Sequence, residues 1–342
     1  MSGTDADLLV VGGGPVGLGT AVEAALAGMS VVVLERRAAP VDKACGEGLM
    51  PPARAALARL GVAPDGMPFR GIRYLTAGAV SSARFRDGDG LGVRRTELWS
   101  VLAERADEAG VRRVEGAAGA PSQGRGWVAA GGIRARWLVA ADGLHSPTRR
   151  ALGLDVPVTA PPRYGLRRHF RLAPWTDLVE VHWSATAEAY VTPVAADLVG
   201  VAVLGPGGRG FDSWLAEFPR LRERLAGADA VTPALGAGPM LQRARRRVAG
   251  RVLLVGDAAG YVDALTGEGV SVGLACAREL VAALRVGRPE DYELAWRRAS
   301  RRYRALTSGL LWAAHRPALR RSIVPAAQRL PWLFSAIVNQ LG

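Results

Sequence analysis

Residues 7–11 (DLLVV) form a short, almost unbroken apolar run, the pattern of a central parallel strand buried on both faces. A glycine-rich turn, GGGPVG, comes next, followed by a helical stretch, LGTAVEAALAG, and a second apolar strand, SVVVLER, reaching Glu35. Together they predict a βαβ unit. Residues 51–60 (PPARAALARL) read as a helix with prolines in its first turn, where a missing N–H does no harm. Residues 69–94 alternate weakly and carry several glycines, which predicts strands and hairpins. Thr96–Ala109 has a helical period, with Leu98, Leu102 and Ala106 on one face. Residues 137–141 (WLVAA) predict another buried strand, closed by Asp142 and Gly143. From about 164 to 204 the pattern turns to β, with strands expected at Gly165–Leu172, Leu178–Trp183, Ala189–Pro193 and Leu198–Leu204 as an antiparallel layer. Phe211–Leu225 predicts one helix, and residues 251–256 a strand that returns to the first domain. A long helix from about Gly269 to Val286 follows, and then a helical tail interrupted by Pro317, Pro325 and Pro331.

This pattern divides the chain into residues 1–160, the first part of a nucleotide-binding domain with a β excursion at about 69–94, and 161–240, a substrate-binding β layer. Residues 241–290 complete the first domain and 291–342 form the tail. There is no internal repeat and no low-complexity linker.

Composition narrows the classes. At 49% hydrophobic and 22% charged, the 342 residues suit a globular protein with a large core. No apolar stretch approaches the ~20 residues of a membrane-spanning helix. The N-terminus is acidic where a signal peptide is basic, so the expected location is cytoplasmic. Cys45 and Cys276 build no disulfide framework, and four scattered histidines predict no metal site. The net charge of +13 is carried almost wholly by arginine, Lys43 being the single lysine, alongside an excess of Ala, Gly and Val. Biased composition on a solvated face explains part of this. Clusters at Arg243–Arg247 and Arg297–Arg304 also suit the attraction of anionic cofactors or lipids. No motif supports nucleic-acid binding.

Gly12, Gly14 and Gly17 form G-x-G-x-x-G between a strand and a helix. Gly12 permits the tight turn, Gly14 lets backbone approach a pyrophosphate, and Gly17 lets helix and strand pack closely. The helix N-terminus, opening at Pro15 and Val16, offers free N–H groups to phosphate. Glu35, ahead of Arg36, stands where a carboxylate accepts from both ribose hydroxyls, so the nucleotide has a free ribose: NAD or FAD.

Two further motifs, LVAADGLHSPTRR around Asp142–Gly143 and RVLLVGDAAGYVDALTGEGVSVGL around Gly256–Asp257, complete a set of three. With VVGGGPVGLGTAVEAALAGMSVVVLER they give the chain a resemblance to FAD-dependent oxidoreductases of the aromatic hydroxylase (group A flavin monooxygenase) and geranylgeranyl reductase superfamily. The resemblance covers residue 7 to about 285. It implies an α/β fold: a Rossmann-like, glutathione-reductase-type FAD-binding domain, an inserted antiparallel β-sheet substrate domain and a helical C-terminal tail. It implies FAD as cofactor, with Asp257 on the ribityl chain and Asp142 and Gly143 near the pyrophosphate. Arg95, or its neighbour Arg94, is expected on FAD, and Thr266, Gly267, Glu268, Gly269 and Val270 beside the flavin ring. A helix N-terminus there would stabilise negative charge on the reduced ring.

The segment DKACGEGLMP (residues 42–51) resembles the loop that lies over the flavin in the reductase branch. Lys43 is expected on the flavin or its phosphates; Cys45, Glu47 and Tyr190 are the candidate catalytic residues on the substrate or flavin face. The third motif lacks the histidine and prolines common in aromatic hydroxylases, the halogenase W-x-W-x-I-P is absent, and the reductase Y-x-W-x-F-P is echoed only by Tyr190–Pro193. An NAD(P)H-dependent monooxygenase acting on a lipophilic or aromatic small molecule in specialised metabolism is the leading expectation. A double-bond reductase is the alternative, and a non-catalytic flavoprotein or membrane-docking module the third reading. The sheet residues His182, Trp183, Tyr190 and Thr192 are expected to roof the flavin. The tail sets Trp312, Trp332, Leu333, Phe334 and Ile337 among arginines, which fits peripheral membrane contact, a lipophilic pocket, or packing on the body or a second subunit. A monomer and a homodimer are both consistent with the sequence.

Overall fold

A computed structural model describes residues 4–340 and folds them into two large sheets with helices around them. Five parallel strands form the core of the first, eight-stranded sheet, in the order Val252–Leu254, Ile133–Ala140, Ala6–Val11, Val31–Glu35, Arg112–Glu115. Leu8, Leu9, Val10, Leu138 and Val139 are fully buried at its centre, as an apolar run covered on both faces requires. The Pro15–Leu26 helix covers one face, and Gly269–Arg285 packs against that helix. A hairpin of Ser122–Gly124 and Trp127–Ala130 runs antiparallel onto Ile133–Ala140.

The second sheet is built mainly from Arg163–Arg171, Leu198–Pro206, Glu188–Ala195 and Val179–Trp183, paired antiparallel in that order. It is not wholly inserted, nor wholly antiparallel. Gly71–Leu75 joins Val179–Trp183 in parallel register, and Val80–Arg84 forms a further strand beyond it. The 69–94 excursion therefore extends the second layer. A small third sheet of Gly48–Leu49, Gly90–Gly92 and Met67–Phe69 anchors the end of the 42–48 loop.

Phe211–Leu225, expected as one helix, is two: Phe211–Leu215 and Pro219–Arg224. Pro219 pushes Phe218 out of helical geometry (φ −120°, ψ 72°) and then opens the second helix from its first position. The tail is three helices, Asp291–Ala314, Pro317–Arg329 and Pro331–Val338, the last two opened by prolines. Their inner face packs on the Val80–Arg84 strand, with Val324, Phe334 and Val338 buried and the Phe334 ring 4.9 Å from that of Tyr74. An ionic cluster fastens tail, second sheet and first domain together. Arg163 bonds Glu188 (2.6 Å) and Asp263 (3.0 Å), and Arg320 from the tail forms an ion pair with the other oxygen of Glu188 (2.6 Å), all four being buried.

Candidate active site

A cleft of about 480 Å³ opens between the two large sheets, within the size range of small-molecule sites. At one end it is floored by the glycine loop. Gly12 has φ +106°, and a Cβ there would sit 2.4 Å from the Ala141 carbonyl oxygen; a Cβ on Gly17 would sit 1.9 Å from the oxygen of Gly12. Strand and helix approach so closely that only glycine fits. Glu35 accepts from the Gly13 N–H (2.7 Å) and the Arg37 N–H (3.0 Å), and the Trp99 indole donates to the Gly13 carbonyl (2.8 Å), so the loop is held from both sides. Gly14 stays open to the cleft, its nearest foreign atom being an Arg95 guanidinium nitrogen. Arg95 lines the cleft and Arg94 does not. The Arg95 Nε is buried and has no partner.

The next wall is Asp142 with Asp257. Asp142 accepts from the Ser146 hydroxyl and the Thr148 N–H, which turns the chain sharply after its strand. Gly143, Gly256 and Asp257 line the cleft, and the Lys43 ammonium lies 3.9 Å from the Asp257 carboxylate. Arg149, almost fully buried, ties the two turns together. It donates to the carbonyls of Leu144 (3.0 Å), Asp257 (3.4 Å) and Ala258 (3.0 Å), to the side-chain oxygen of Gln242 (3.0 Å) and to Asp155. Nothing in the sequence singled it out except its place in LHSPTRR.

The 42–48 loop forms the roof. Cys45 faces the cleft, its sulfur accepting from the Glu47 N–H at 3.4 Å. Glu47 lines the cleft, but its carboxylate is bonded into the surrounding network. Its side chain is 1% exposed and turns into the wall, where it bonds His169 Nε2 (2.6 Å) and accepts the Arg95 N–H (2.9 Å). Its φ of +58° is unusual for a non-glycine residue. Arg167 bonds Asp42 and His169, and Thr192 donates to the Gly46 carbonyl (2.8 Å), closing a network around the loop. His169 and Arg167 went unread in the sequence.

Beyond the loop the cleft widens into an apolar chamber walled by Leu49, Met50, Ile72, Val179, Val181, Leu204 and Met240. Tyr190 and Thr192 line it, Tyr190 donating to the Leu265 carbonyl (3.0 Å), and burial holds its hydroxyl well above the usual tyrosine range. His182 and Trp183 do not line it. Tyr190 pairs in register with Val181, which puts His182 on the opposite face beside Glu180 (3.2 Å), while Trp183 is buried toward the tail. Gly267, Gly269 and Val270 present the N-terminus of the Gly269–Arg285 helix to the cleft. Glu268, expected beside them, is buried away from the cleft, and burial pushes its carboxyl up to about 7.

The family described as an FAD binding domain matches residues 5–182. The chain belongs to the FAD-binding family. Over 335 residues, this flavoprotein is 30% identical to a menaquinone reductase of Mycolicibacterium smegmatis, covering 86% of the chain and 80% of that relative. It is 33% identical over 307 residues to a digeranylgeranylglycerophospholipid reductase of Methanopyrus kandleri, covering 80% and 78% respectively. In fold it is similar to the p-nitrophenol 4-monooxygenase of Pseudomonas putida DLL-E4, with a TM-score of 0.80 at 20% identity and 99% coverage of both chains. It is an FAD-dependent oxidoreductase. The cleft fits that cofactor: a glycine cradle in which a Cβ at Gly12 or Gly17 would clash, an unpartnered arginine N–H beside it, and a helix N-terminus at the far end.

Proposed function

We propose that this flavoprotein reduces carbon–carbon double bonds of a lipophilic, isoprenoid-like substrate, with NAD(P)H as reductant entering the same cleft. The apolar chamber carries this reading. Its wall is mostly apolar, with Leu49, Met50, Ile72, Val179, Val181, Leu204 and Met240 beside the tyrosines, and the hydroxyls of Tyr190 and Thr192 are already bonded to backbone carbonyls. Such a wall selects by shape and burial, at roughly 25 cal/mol per Å² of apolar surface. The reductase names of both curated relatives support it.

In this reading Gly12, Gly14, Pro15, Val16 and Gly17 hold the FAD pyrophosphate, with Asp142, Gly143 and Arg95 beside them. Glu35 and Arg36 stand at the adenosine end, Gly256 and Asp257 at the ribityl chain, and Lys43, Gly267, Gly269 and Val270 at the ring. FAD, when bound, would supply the two-electron redox chemistry. The chain binds the substrate, excludes water and supplies the proton. Cys45 is the proposed proton source, because its thiol lines the cleft, whereas the Glu47 carboxylate is buried and paired with His169 Nε2.

The test is anaerobic turnover of the reduced holoenzyme with a prenylated quinone. The expected product forms without oxygen and carries two added hydrogens in its isoprenoid chain, still present after the ring is reoxidised to the quinone. A product that forms only with oxygen, and carries it, refutes the reductase and establishes the second reading, a monooxygenase of planar aromatics. The tyrosines that line the cleft, Tyr74, Tyr190 and Tyr261, favour that second reading because such rings stack on a flat substrate. In the reductase, Cys45→Ala should slow substrate-dependent flavin reoxidation on the order of 10²-fold in stopped-flow traces. Flavin reduction by NAD(P)H should be unchanged.

A further inference from the structure

Among the described residues, seven of the eleven exposed large apolar side chains fall in the tail: Leu294, Trp312, Leu319, Leu330, Trp332, Leu333 and Ile337. Trp332 is the most exposed of all, at 69%. A single exposed apolar residue is ordinary, but a run of them on consecutive helices marks a contact surface. Leu330, Leu333 and Ile337 follow one another at spacings of three and four, so they share a face of the Pro331–Val338 helix. Phe334 and Val338, on the other face, are buried against the body. The helix is therefore satisfied inside and unpartnered outside.

The surrounding charge says what covers it. From residue 294 to 340 the chain has nine arginines and no Asp or Glu. Arg320 is buried in the ionic cluster, while Arg316, Arg321 and Arg329 are exposed beside the apolar positions. The Arg316 guanidinium lies 3.9 Å from the Trp312 ring centroid, a paired apolar ring and cationic head suited to the boundary between acyl chains and headgroups. A protein partner complementary to this face would have to be both apolar and uniformly acidic. A bilayer with anionic headgroups meets both demands at once.

We infer that the Pro317–Val338 segment is a docking surface for an anionic phospholipid bilayer, with Trp332, Leu333 and Ile337 in the acyl boundary and Arg316, Arg321 and Arg329 on the headgroup phosphates. The inner faces of these same helices pack in one hydrophobic cluster with Met50, Ile72, Tyr74 and Val181. All four of those residues line the chamber, so the docked face is the outer side of the substrate wall. The inference stands whichever redox reaction the chamber performs.

The experiment is co-sedimentation of the holoenzyme with vesicles of phosphatidylcholine alone and of phosphatidylcholine with phosphatidylglycerol. Binding is expected to the anionic vesicles, weakened at least tenfold by high salt and by removing the anionic lipid. Trp332→Glu/Leu333→Glu should weaken it by at least tenfold while the protein keeps bound FAD. Arg321→Gln/Arg329→Gln, which leaves the apolar face intact, should lower binding and flatten the salt dependence. Equal binding to neutral and anionic vesicles, or no effect of either double variant, overturns the proposal. So does a wild-type dimer that Trp332→Glu/Leu333→Glu converts to a monomer, which would assign the face to a second copy of the chain. No readout involves a substrate, so failure here is distinct from a wrong reaction.

Discussion

Single atoms decide whether the glycine loop exists. A methyl group at residue 17 would have to displace the Gly12 carbonyl from 1.9 Å, and that carbonyl belongs to the turn it would distort. Gly17→Ala is expected to yield colourless protein, checked by the flavin absorbance of the purified chain. Glu268 supplies a residue-scale pH effect. Burial raises its carboxyl from the ordinary 4.5 to about 7, so the folded state holds the proton more tightly than the unfolded chain. The stability this contributes is complete below about pH 4.5 and is lost as pH climbs through about 7. Glu268→Gln should therefore be more stable than the parent above pH 7, by about 3 kcal/mol at most, with the difference vanishing below pH 4.5 in urea titrations. At this scale the sequence was legible wherever backbone geometry dictates residue type. Gly12, Gly17, Asp142 and Asp257 sit where close approach or a sharp turn admits few alternatives, and all four line the cleft. It was opaque for side-chain direction. Glu47 and Glu268 stand in segments that line the cleft, yet both carboxyls are buried in the protein, because their directions are set by partners or packing distant in sequence, such as His169.

Secondary elements owe their placement here to a few buried ions. Glu188 is fully buried and shared between Arg163 and Arg320, so removing one arginine strands a carboxylate away from water. Arg320→Ala should cost about 3–5 kcal/mol in urea unfolding. Arg171→Ala, which breaks a pair with Asp197 in which both side chains are more than half exposed, should cost less than about 1 kcal/mol. Arg149 works similarly between the two acidic turns. Arg149→Ala should weaken FAD affinity more than Asp155→Ala, as fluorescence titration of the apoprotein would show, since only the arginine bonds both turns. Strand and helix types followed the apolar periodicity well. The single predicted helix across Phe211–Leu225 failed because its apolar positions continue through Pro219, and periodicity alone does not register a missing N–H.

At the scale of the whole molecule, the tail is part of the body. Its buried residues complete the cluster that holds Tyr74, Trp183 and Leu265, and Arg320 reaches the carbonyls of Ser184 and Ala187. Truncation after residue 316 should therefore leave a chain that binds a hydrophobic dye and unfolds at lower denaturant, rather than a trimmed enzyme. None of the described helices is long and apolar enough to cross a membrane. The pairing between distant segments was not readable, since register between distant strands leaves no periodic trace. The parallel junction of Gly71–Leu75 with Val179–Trp183 is the case in point, with Arg73 bonded to a glutamate 107 positions later. Inheritance follows from that junction. A recombination event, natural or engineered, that exchanged only the 161–240 block would pair a new strand with an old neighbour, and the mismatch would fall on Ile72 and Val181 in the substrate wall. New specificities in this architecture should therefore arise by substitution at the wall, or by exchanging two separated segments at once, and seldom by swapping one cassette.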